Sequence, residues 1–214
     1  MKCDKKDLLL YAVTDRSWLN GKTLYGQVEQ ALKGGVSFVQ LREKNLNTEA
    51  FLQEAIQIQS LCRTYGVPFV INDNIDIALA MNADGVHVGQ KDMEVSKVRA
   101  KLGPGKLIGV SAQTVEQAVK AEKEGASYLG VGAVFATDSK LDAIEVSHET
   151  LKEICKSVEI PVVAIGGINK ENIKELSESG ICGVAVISAI FAQSDIEKAT
   201  DDLKKQVEKM LYDL

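Results

Sequence analysis

The chain has 214 residues, of which 45% are hydrophobic, and it carries a net charge of −5. This length suits one large domain, and a chain of this size buries roughly 70% of the surface that its unfolded form exposes, so it needs no disulfide or structural metal. The negative charge argues against nucleic acid and against an anionic membrane as partners, but it leaves room for a local phosphate site built from loops and helix ends.

Four scattered cysteines and the lack of a long apolar segment indicate the compartment. The cysteines form no C-x-x-C pair, as expected for small buried side chains in a reducing environment. No segment approaches the ~18 consecutive apolar residues of a membrane span, and the N-terminal stretch does not resemble a signal peptide. We therefore expect a cytoplasmic protein without a membrane segment; a homo-oligomer is compatible with the sequence.

Short apolar runs alternate with longer amphipathic segments along the chain. The runs predict eight strands, at residues 8–14, 37–41, 68–71, 85–88, 106–110, 128–134, 161–165 and 183–187. The segments that follow them have helical periodicity, at residues 24–35, 48–66, 75–82, 93–103, 114–125, 147–158, 169–180 and 197–211. Several of these helices end in glycine, the residue that most readily adopts the conformation closing a helix.

The pattern of units favours one architecture. The strands are apolar throughout, as parallel strands covered on both faces should be. Eight such units in about 210 residues match a closed (β/α)8 TIM barrel of the α/β class, formed as a single domain by residues 1–214. A doubly wound open sheet is the alternative, and it is disfavoured because no G-x-G-x-x-G motif opens the first unit.

Two aspartates follow successive predicted strands. In a (β/α)8 barrel the active site lies at the carboxyl ends of the strands. Asp73 follows the third strand and Asp92 the fourth, so their carboxylates would converge. One or two carboxylates, completed by water and phosphate oxygens, is the usual way to hold Mg2+. The alternative is that each aspartate caps the following helix; the presence of a pair beside basic loops favours the metal site.

Three cations belong to the same rim of the predicted barrel. Arg42 and Lys44 follow the second strand, and Lys140 follows the sixth. A guanidinium group with two ammonium groups suits a diphosphate. The stretch "REK" could instead be a solvated charge run, but its place directly after an apolar strand favours a function.

The ends of strands seven and eight predict a second phosphate site. Gly166 and Gly167 would let backbone N–H groups approach an anion, and the helix after Ser188 would offer its positive N-terminus to the anion. Barrels often bind phosphate between these two loops.

Other polar residues are less specific. Thr137 and Ser139 offer hydroxyls beside a lysine, although such residues are also common in loops. Ser111 either faces the site or caps the following helix. For His87, within strand four, we expect a satisfied interior imidazole rather than a catalytic base. No Ser-His-Asp or Cys-His arrangement is evident, so covalent catalysis has little support.

Taken together, six stretches resemble the thiamine-phosphate synthase family. They occur in the family's order between Tyr11 and Ile190: "QLREKN", "VPFVINDNIDIALAMNADGVHVGQKD", "IGVSAQT", "GAVFATDSK", "VVAIGGI" and "GVAVISAI". The family has a (β/α)8 fold. The resemblance implies an alkyl transferase that joins a hydroxymethylpyrimidine diphosphate to a thiazole phosphate with Mg2+, releasing pyrophosphate.

The resemblance also implies roles for individual residues. Asp73 and Asp92 would hold Mg2+. The residues expected to bind the pyrimidine diphosphate are Gln40, Leu41, Arg42, Glu43, Lys44, Asn72, Ser111 and Lys140. Those expected to bind the thiazole phosphate are Thr137, Asp138, Ser139, Gly167, Ile187 and Ser188. Within these sets, the catalytic group comprises Arg42, Lys44, Ser111 and Lys140.

The chain departs from the family at one motif. The family usually has P-T-x-T-K, where this chain has "ATDSK" at residues 136–140; the change bears on thiazole affinity rather than on the type of reaction. The alternatives are a related thiazole tautomerase, which would not need the metal pair, and a sugar-phosphate epimerase or isomerase, which would need an acid–base pair. A non-catalytic barrel that binds phosphate ligands is a third alternative.

Overall fold

Eight parallel strands close into one barrel in the computed structural model, which describes residues 3–137 and 145–212. Each strand pairs with the next along the chain, and the last pairs with the first. The strands are β1 Leu10–Val13, β2 Phe38–Leu41, β3 Phe69–Asn72, β4 Gly85–Val88, β5 Leu107–Ala112, β6 Tyr128–Val131, β7 Val162–Ile165 and β8 Gly183–Val186. The predicted (β/α)8 fold is confirmed, and the open sheet is excluded.

Helices surround the barrel. They are α1 Leu24–Lys33, α2 Thr48–Thr64, α3 Ile75–Ala80, α4 Val95–Leu102, α5 Val115–Lys123, α6 His148–Ser157, α7 Ser188–Phe191 and α8 Ile196–Tyr212. Short 3-10 helices span Lys5–Leu8, Arg16–Trp18 and Ile173–Leu176. Within the described ranges, none of the helices is both long and apolar enough to cross a membrane.

The helix predicted at residues 169–180 is wrong: this segment contains only the 3-10 helix Ile173–Leu176. Its polar side chains bond to the local backbone instead. Asn169 Oδ1 accepts from the N–H groups of the residues two and three positions on, and Asn172 Oδ1 accepts from Asn169 N–H at 2.9 Å. Ser177 and Ser179 donate to nearby carbonyls. Such bonds compete with the helical hydrogen-bond ladder, so helical periodicity alone overestimated this helix.

The apolar side chains form two layers. One fills the barrel interior and includes Tyr11, Phe38 and Tyr128. The larger one lies between the strands and the helices. Successive side chains of a strand point to opposite faces, so Phe38 lies in the interior while Leu41 lies in the outer layer. Inward-pointing residues near the carboxyl ends of the strands are therefore the ones that can reach the mouth.

Candidate active site

Asp73 and Asp92 lie together at the ends of β3 and β4. The Asp73 backbone is left-handed, with φ of 59°, and its N–H donates to the His87 carbonyl at 2.8 Å. Asp92 Oδ2 accepts from Gly89 N–H at 2.7 Å. Burial, and next the neighbouring charge of Asp92, raise the pKa of Asp73. The two carboxylates are thus close enough for the charge of Asp92 to oppose ionisation of Asp73.

Neither aspartate caps a helix. The cap of α3 is Asn74, whose Oδ1 accepts from Ile77 N–H at 3.0 Å. Helix α4 begins after Glu94, which makes no side-chain capping bond. The capping explanation of the two aspartates is therefore excluded, and their proximity needs another explanation.

The surroundings of this pair fit a hard cation. Lys44 Nζ lies 3.6 Å from Asp73 Oδ2, and a cavity of about 580 Å³ is lined by Lys44, Asn72 and both aspartates, among others. In the part of the chain that the structure describes, no group of three or more His, Cys, Asp or Glu side chains could hold a metal. A cation bound by this pair would complete its coordination with water or ligand oxygens, as Mg2+ usually does.

Arg42 is directed by the loop after β1. Its Nη1 donates to Asp15 Oδ2 at 2.6 Å, and its backbone N–H donates to Thr14 Oγ1 at 3.0 Å. Sequence analysis did not select Asp15, although its position directly after an apolar strand is the signal that drew attention to Asp73. Arg42, which is predicted to bind the diphosphate, thus already has a carboxylate partner within the protein.

Glu43 and Leu41 use their side chains within the fold. The Glu43 side chain is only 1% exposed and forms an ion pair with Arg16. Its Oε1 also accepts from the N–H groups of Lys44 and Asn45, at 2.8 Å each. Leu41 is fully buried in the outer layer. Any contact of these two residues with a ligand would therefore involve their backbone atoms.

A hydrogen-bonded chain crosses the barrel interior beneath the mouth. Gln40 Nε2 donates to Tyr11 Oη at 2.5 Å, and Tyr11 Oη lies 2.8 Å from Tyr128 Oη. His87 then joins Tyr128 to Ser111, with Nδ1 3.2 Å from Tyr128 Oη and Nε2 3.0 Å from Ser111 Oγ. Burial raises the pKa of both tyrosines, so their hydroxyls stay protonated.

This hydrogen-bonded chain of side chains answers two questions left open by the sequence. His87 is buried with hydrogen bonds at both ring nitrogens, which confirms a satisfied interior imidazole. The Ser111 hydroxyl faces the interior, and Thr114 is the residue that caps α5. The two ends of this hydrogen-bonded chain, Gln40 and Ser111, are both predicted to contact the pyrimidine diphosphate.

The hydrogen-bonded chain of side chains fits inside the barrel because Gly109 has no side chain. A Cβ atom at this position would overlap the Tyr128 ring and His87 Nδ1. The Gly109 position therefore provides the space that lets two aromatic side chains meet in the barrel interior.

Two glycines directly after β7 allow this loop to pack against the loop after β6. Gly166 and Gly167 have φ of 90° and 68°, and a Cβ on either would collide with the loop after β6. The Gly167 carbonyl accepts from Asn172 Nδ2 at 2.9 Å. Ser188 is exposed at the start of α7. These glycines thus have a packing role in addition to any contact with phosphate.

The remaining predicted residues are Ile187 and residues 137–140. Ile187 follows β8 and is half-buried, as is Thr137 after β6. Asp138, Ser139 and Lys140 lie outside the described residues, so their expected roles stay predictions.

Comparison with known proteins identifies the family. The family model for thiamine monophosphate synthase matches residues 10–190. The chain belongs to the thiamine monophosphate synthase family. A thiamine-phosphate synthase from Clostridium tetani is 51% identical over 92% of this chain and 94% of its own length, and one from Clostridium acetobutylicum is 52% identical over 89% and 90%.

Solved structures agree with this family assignment. Thiamine phosphate pyrophosphorylase from Pyrococcus furiosus has a TM-score of 0.89 and 42% identity, covering 97% of this chain and 98% of its own. A fungal protein described as a fructose-1,6-biphosphate aldolase shares only 12% identity at a TM-score of 0.68, which shows a common fold and nothing more. As a member of this family, the chain is an enzyme that transfers an alkyl group.

Proposed function

We propose that the chain joins 4-amino-2-methyl-5-hydroxymethylpyrimidine diphosphate to 4-methyl-5-(2-phosphoethyl)thiazole, or to its carboxylate, giving thiamine phosphate and pyrophosphate. The reaction proposed is a Mg2+-assisted dissociative substitution. The observation that carries the proposal is the corner formed by Asp73, Asp92 and Lys44, where two carboxylates and a cation meet at the strand ends.

The residues of this corner suit a departing diphosphate. Lys44 on the β2 loop lies next to the carboxylate pair, and Arg42 supplies further N–H donors from the same loop. Such donors stabilise the negative charge that develops on the leaving oxygen. A Mg2+ ion held by Asp73 and Asp92 would supply further neutralisation of that charge. Lys140 is proposed to act on the same group from the loop after β6.

The interior residues suit the pyrimidine ring. Gln40 and Ser111 occupy opposite ends of one hydrogen-bonded chain, so the orientation of each is linked to that of the other. Fixed polar groups of this kind hold a heterocycle in one reactive pose. The thiazole nitrogen is already nucleophilic and needs no base, which is consistent with a His87 engaged at both ring nitrogens.

The second phosphate site is proposed at the ends of β6, β7 and β8. Thr137, Ser139, Gly167, Ile187 and Ser188 would bind the thiazole phosphate there, with Asp138 in the same loop. The strands β6, β7 and β8 are neighbours in the barrel, and barrels often bind phosphate between the loops after the seventh and eighth strands.

The experiment is an assay with both substrates, in the presence of Mg2+ and in the presence of a chelator. Thiamine phosphate and pyrophosphate should form in equal amounts and only with Mg2+. Pyrophosphate release without thiazole would indicate hydrolysis rather than transfer. Binding of the diphosphate without any product would favour the non-catalytic alternative, and isomerisation of the thiazole alone would favour the tautomerase.

A further inference from the structure

The loop after β1 holds the side chain of Arg42. Arg42 Nη1 donates to Asp15 Oδ2 at 2.6 Å, and the two side chains are 24% and 14% exposed. Asp15 is itself fixed, because its Oδ1 accepts from Ser17 N–H at 2.8 Å at the start of the 3-10 helix Arg16–Trp18. A largely buried carboxylate of fixed orientation thus binds one edge of the guanidinium.

The next residue holds the backbone that carries Arg42. Arg16 forms ion pairs with Glu43 and with Glu54, the latter at 2.6 Å. Glu43 in turn accepts from the N–H groups of Lys44 and Asn45. Two adjacent residues of the β1 loop therefore bind two adjacent residues of the β2 loop, with opposite charges in each pair.

Two electrostatic effects favour the charged form of Asp15. Burial opposes its ionisation, but the hydrogen bonds from Ser17 and the charge of Arg42 outweigh burial and hold the pKa of Asp15 below its ordinary value. The carboxylate is therefore ionised at neutral pH and remains a partner for Arg42.

We propose that Asp15 is a positioning residue of the diphosphate site. It binds one edge of the Arg42 guanidinium and leaves the remaining N–H donors for phosphate oxygens. Holding a long side chain in advance removes an ordering cost that binding would otherwise carry. This inference rests on the proposed function, since it takes Arg42 as a ligand of the diphosphate. The opposite possibility is that Asp15 competes with the diphosphate for Arg42.

The test compares Asp15→Asn and Asp15→Ser with the native chain. Asparagine keeps the shape of the side chain and serine keeps the helix cap, while both remove the charge that binds Arg42. Affinity for inorganic pyrophosphate with Mg2+ is measured by titration calorimetry. Both variants should bind roughly tenfold more weakly, as loss of about one ordered side chain implies. The KM for the pyrimidine diphosphate should rise similarly, with little change in the KM for the thiazole phosphate, and Asp15→Glu should restore part of the loss.

Asp4→Asn is the matched control. Asp4 also caps a 3-10 helix, Lys5–Leu8, by accepting from Lys6 N–H, and its variant loses the same charge without contact to Arg42. This variant should keep native affinity. Unchanged or tighter pyrophosphate binding in both Asp15 variants would overturn the inference.

The two proposals fail in distinguishable ways. A native chain that binds pyrophosphate with Mg2+ but forms no thiamine phosphate would defeat the proposed function alone, and the Asp15 comparison would still decide the positioning role. A native chain that neither binds pyrophosphate with Mg2+ nor forms thiamine phosphate would overturn both.

Discussion

Asp73 combines backbone strain with electrostatic repulsion. Its left-handed backbone costs a non-glycine residue roughly 1–3 kcal/mol, and its pKa is raised by burial and by Asp92. Neither feature stabilises the metal-free fold. Such features accumulate where function requires them, so this residue illustrates how a binding site opposes folding stability.

Neutralising one carboxylate should therefore separate stability from activity. In Asp73→Asn, asparagine tolerates the left-handed conformation and removes the repulsion. Because the pKa of Asp73 is raised in the folded state, the ionised pair opposes folding above that pKa, and the opposition disappears as the pH falls through it. We expect the metal-free variant to be more stable at pH 7 by less than about 1 kcal/mol, since the pair is partly solvated.

Denaturant unfolding at pH 7 and pH 3 and steady-state assays measure the two effects. The stability difference should vanish at pH 3, while turnover should fall by roughly a hundredfold or more through loss of charge stabilisation. Asp76→Asn, an exposed residue lining the same cavity, is the control for net charge. Native turnover in Asp73→Asn, or equal losses in both variants, would contradict the metal assignment.

At the scale of elements, the loops after β1 and β2 are joined by Glu43. Burial opposes ionisation of Glu43, but the hydrogen bond from Asn45 and the Arg16 ion pair outweigh it and hold the pKa of Glu43 below its ordinary 4.5. A lowered carboxyl pKa contributes stability that is present above the ordinary value and is lost as the pH falls through the folded value.

Glu43→Gln should thus lower the free energy of unfolding by about 2 kcal/mol at pH 7, since it removes hydrogen bonds to a charged group. The difference from the native chain should shrink as the pH falls below the ordinary value of 4.5 and through the lower folded value, because the native carboxyl then becomes protonated. Urea denaturation over this pH range measures both. Glu29→Gln, which loses an exposed helical ion pair with Lys33, should change stability by less than about 0.5 kcal/mol; a pH-independent deficit in Glu43→Gln would rule out the ionic explanation.

Gly109 lies in β5, and side chains of the neighbouring strands β4 and β6 leave no space for a side chain at this position. Gly109→Ala would drive a methyl group into Tyr128 and His87, and we expect a loss of about 3 kcal/mol from overpacking. Gly105→Ala is a matched control, because nothing lies within 4 Å of its Cβ position. Thermal denaturation compares the two variants. Similar melting temperatures would show that Tyr128 and His87 can be displaced without loss of stability.

At the scale of the whole molecule, folding and ligand binding should be linked. A ligand that binds only the folded barrel stabilises it by about 2.7 kcal/mol at a concentration one hundred times its dissociation constant. Mg2+ with pyrophosphate should therefore raise the melting temperature by more than the sum of the shifts that each causes alone, because the diphosphate completes the coordination of the cation. A differential scanning measurement with and without chelator tests this, and additive shifts would argue for separate sites.

The architecture could be predicted because its signals are local. Apolar runs of four to seven residues, helical periodicity and the order of units together imply a parallel closed barrel. The positions of Asp73 and Asp92 after neighbouring strands then imply proximity without any distance being known. The seventh helix was overestimated because hydrogen bonds of Asn169 and Asn172 to the backbone have the same sequence pattern as a polar helix face.

The sequence by itself therefore determined the barrel, the rim on which its chemistry lies and the resemblance to a family. Only the tertiary structure decided the partner of each polar side chain. Tyr11 and Tyr128 are 117 residues apart in the chain, and Asp15 and Arg42 are 27 apart. The physical reason is that hydrogen bonds and ion pairs are sensitive to differences in distance of a few tenths of an ångström. These distances are set by how the strands close into a barrel rather than by any local pattern.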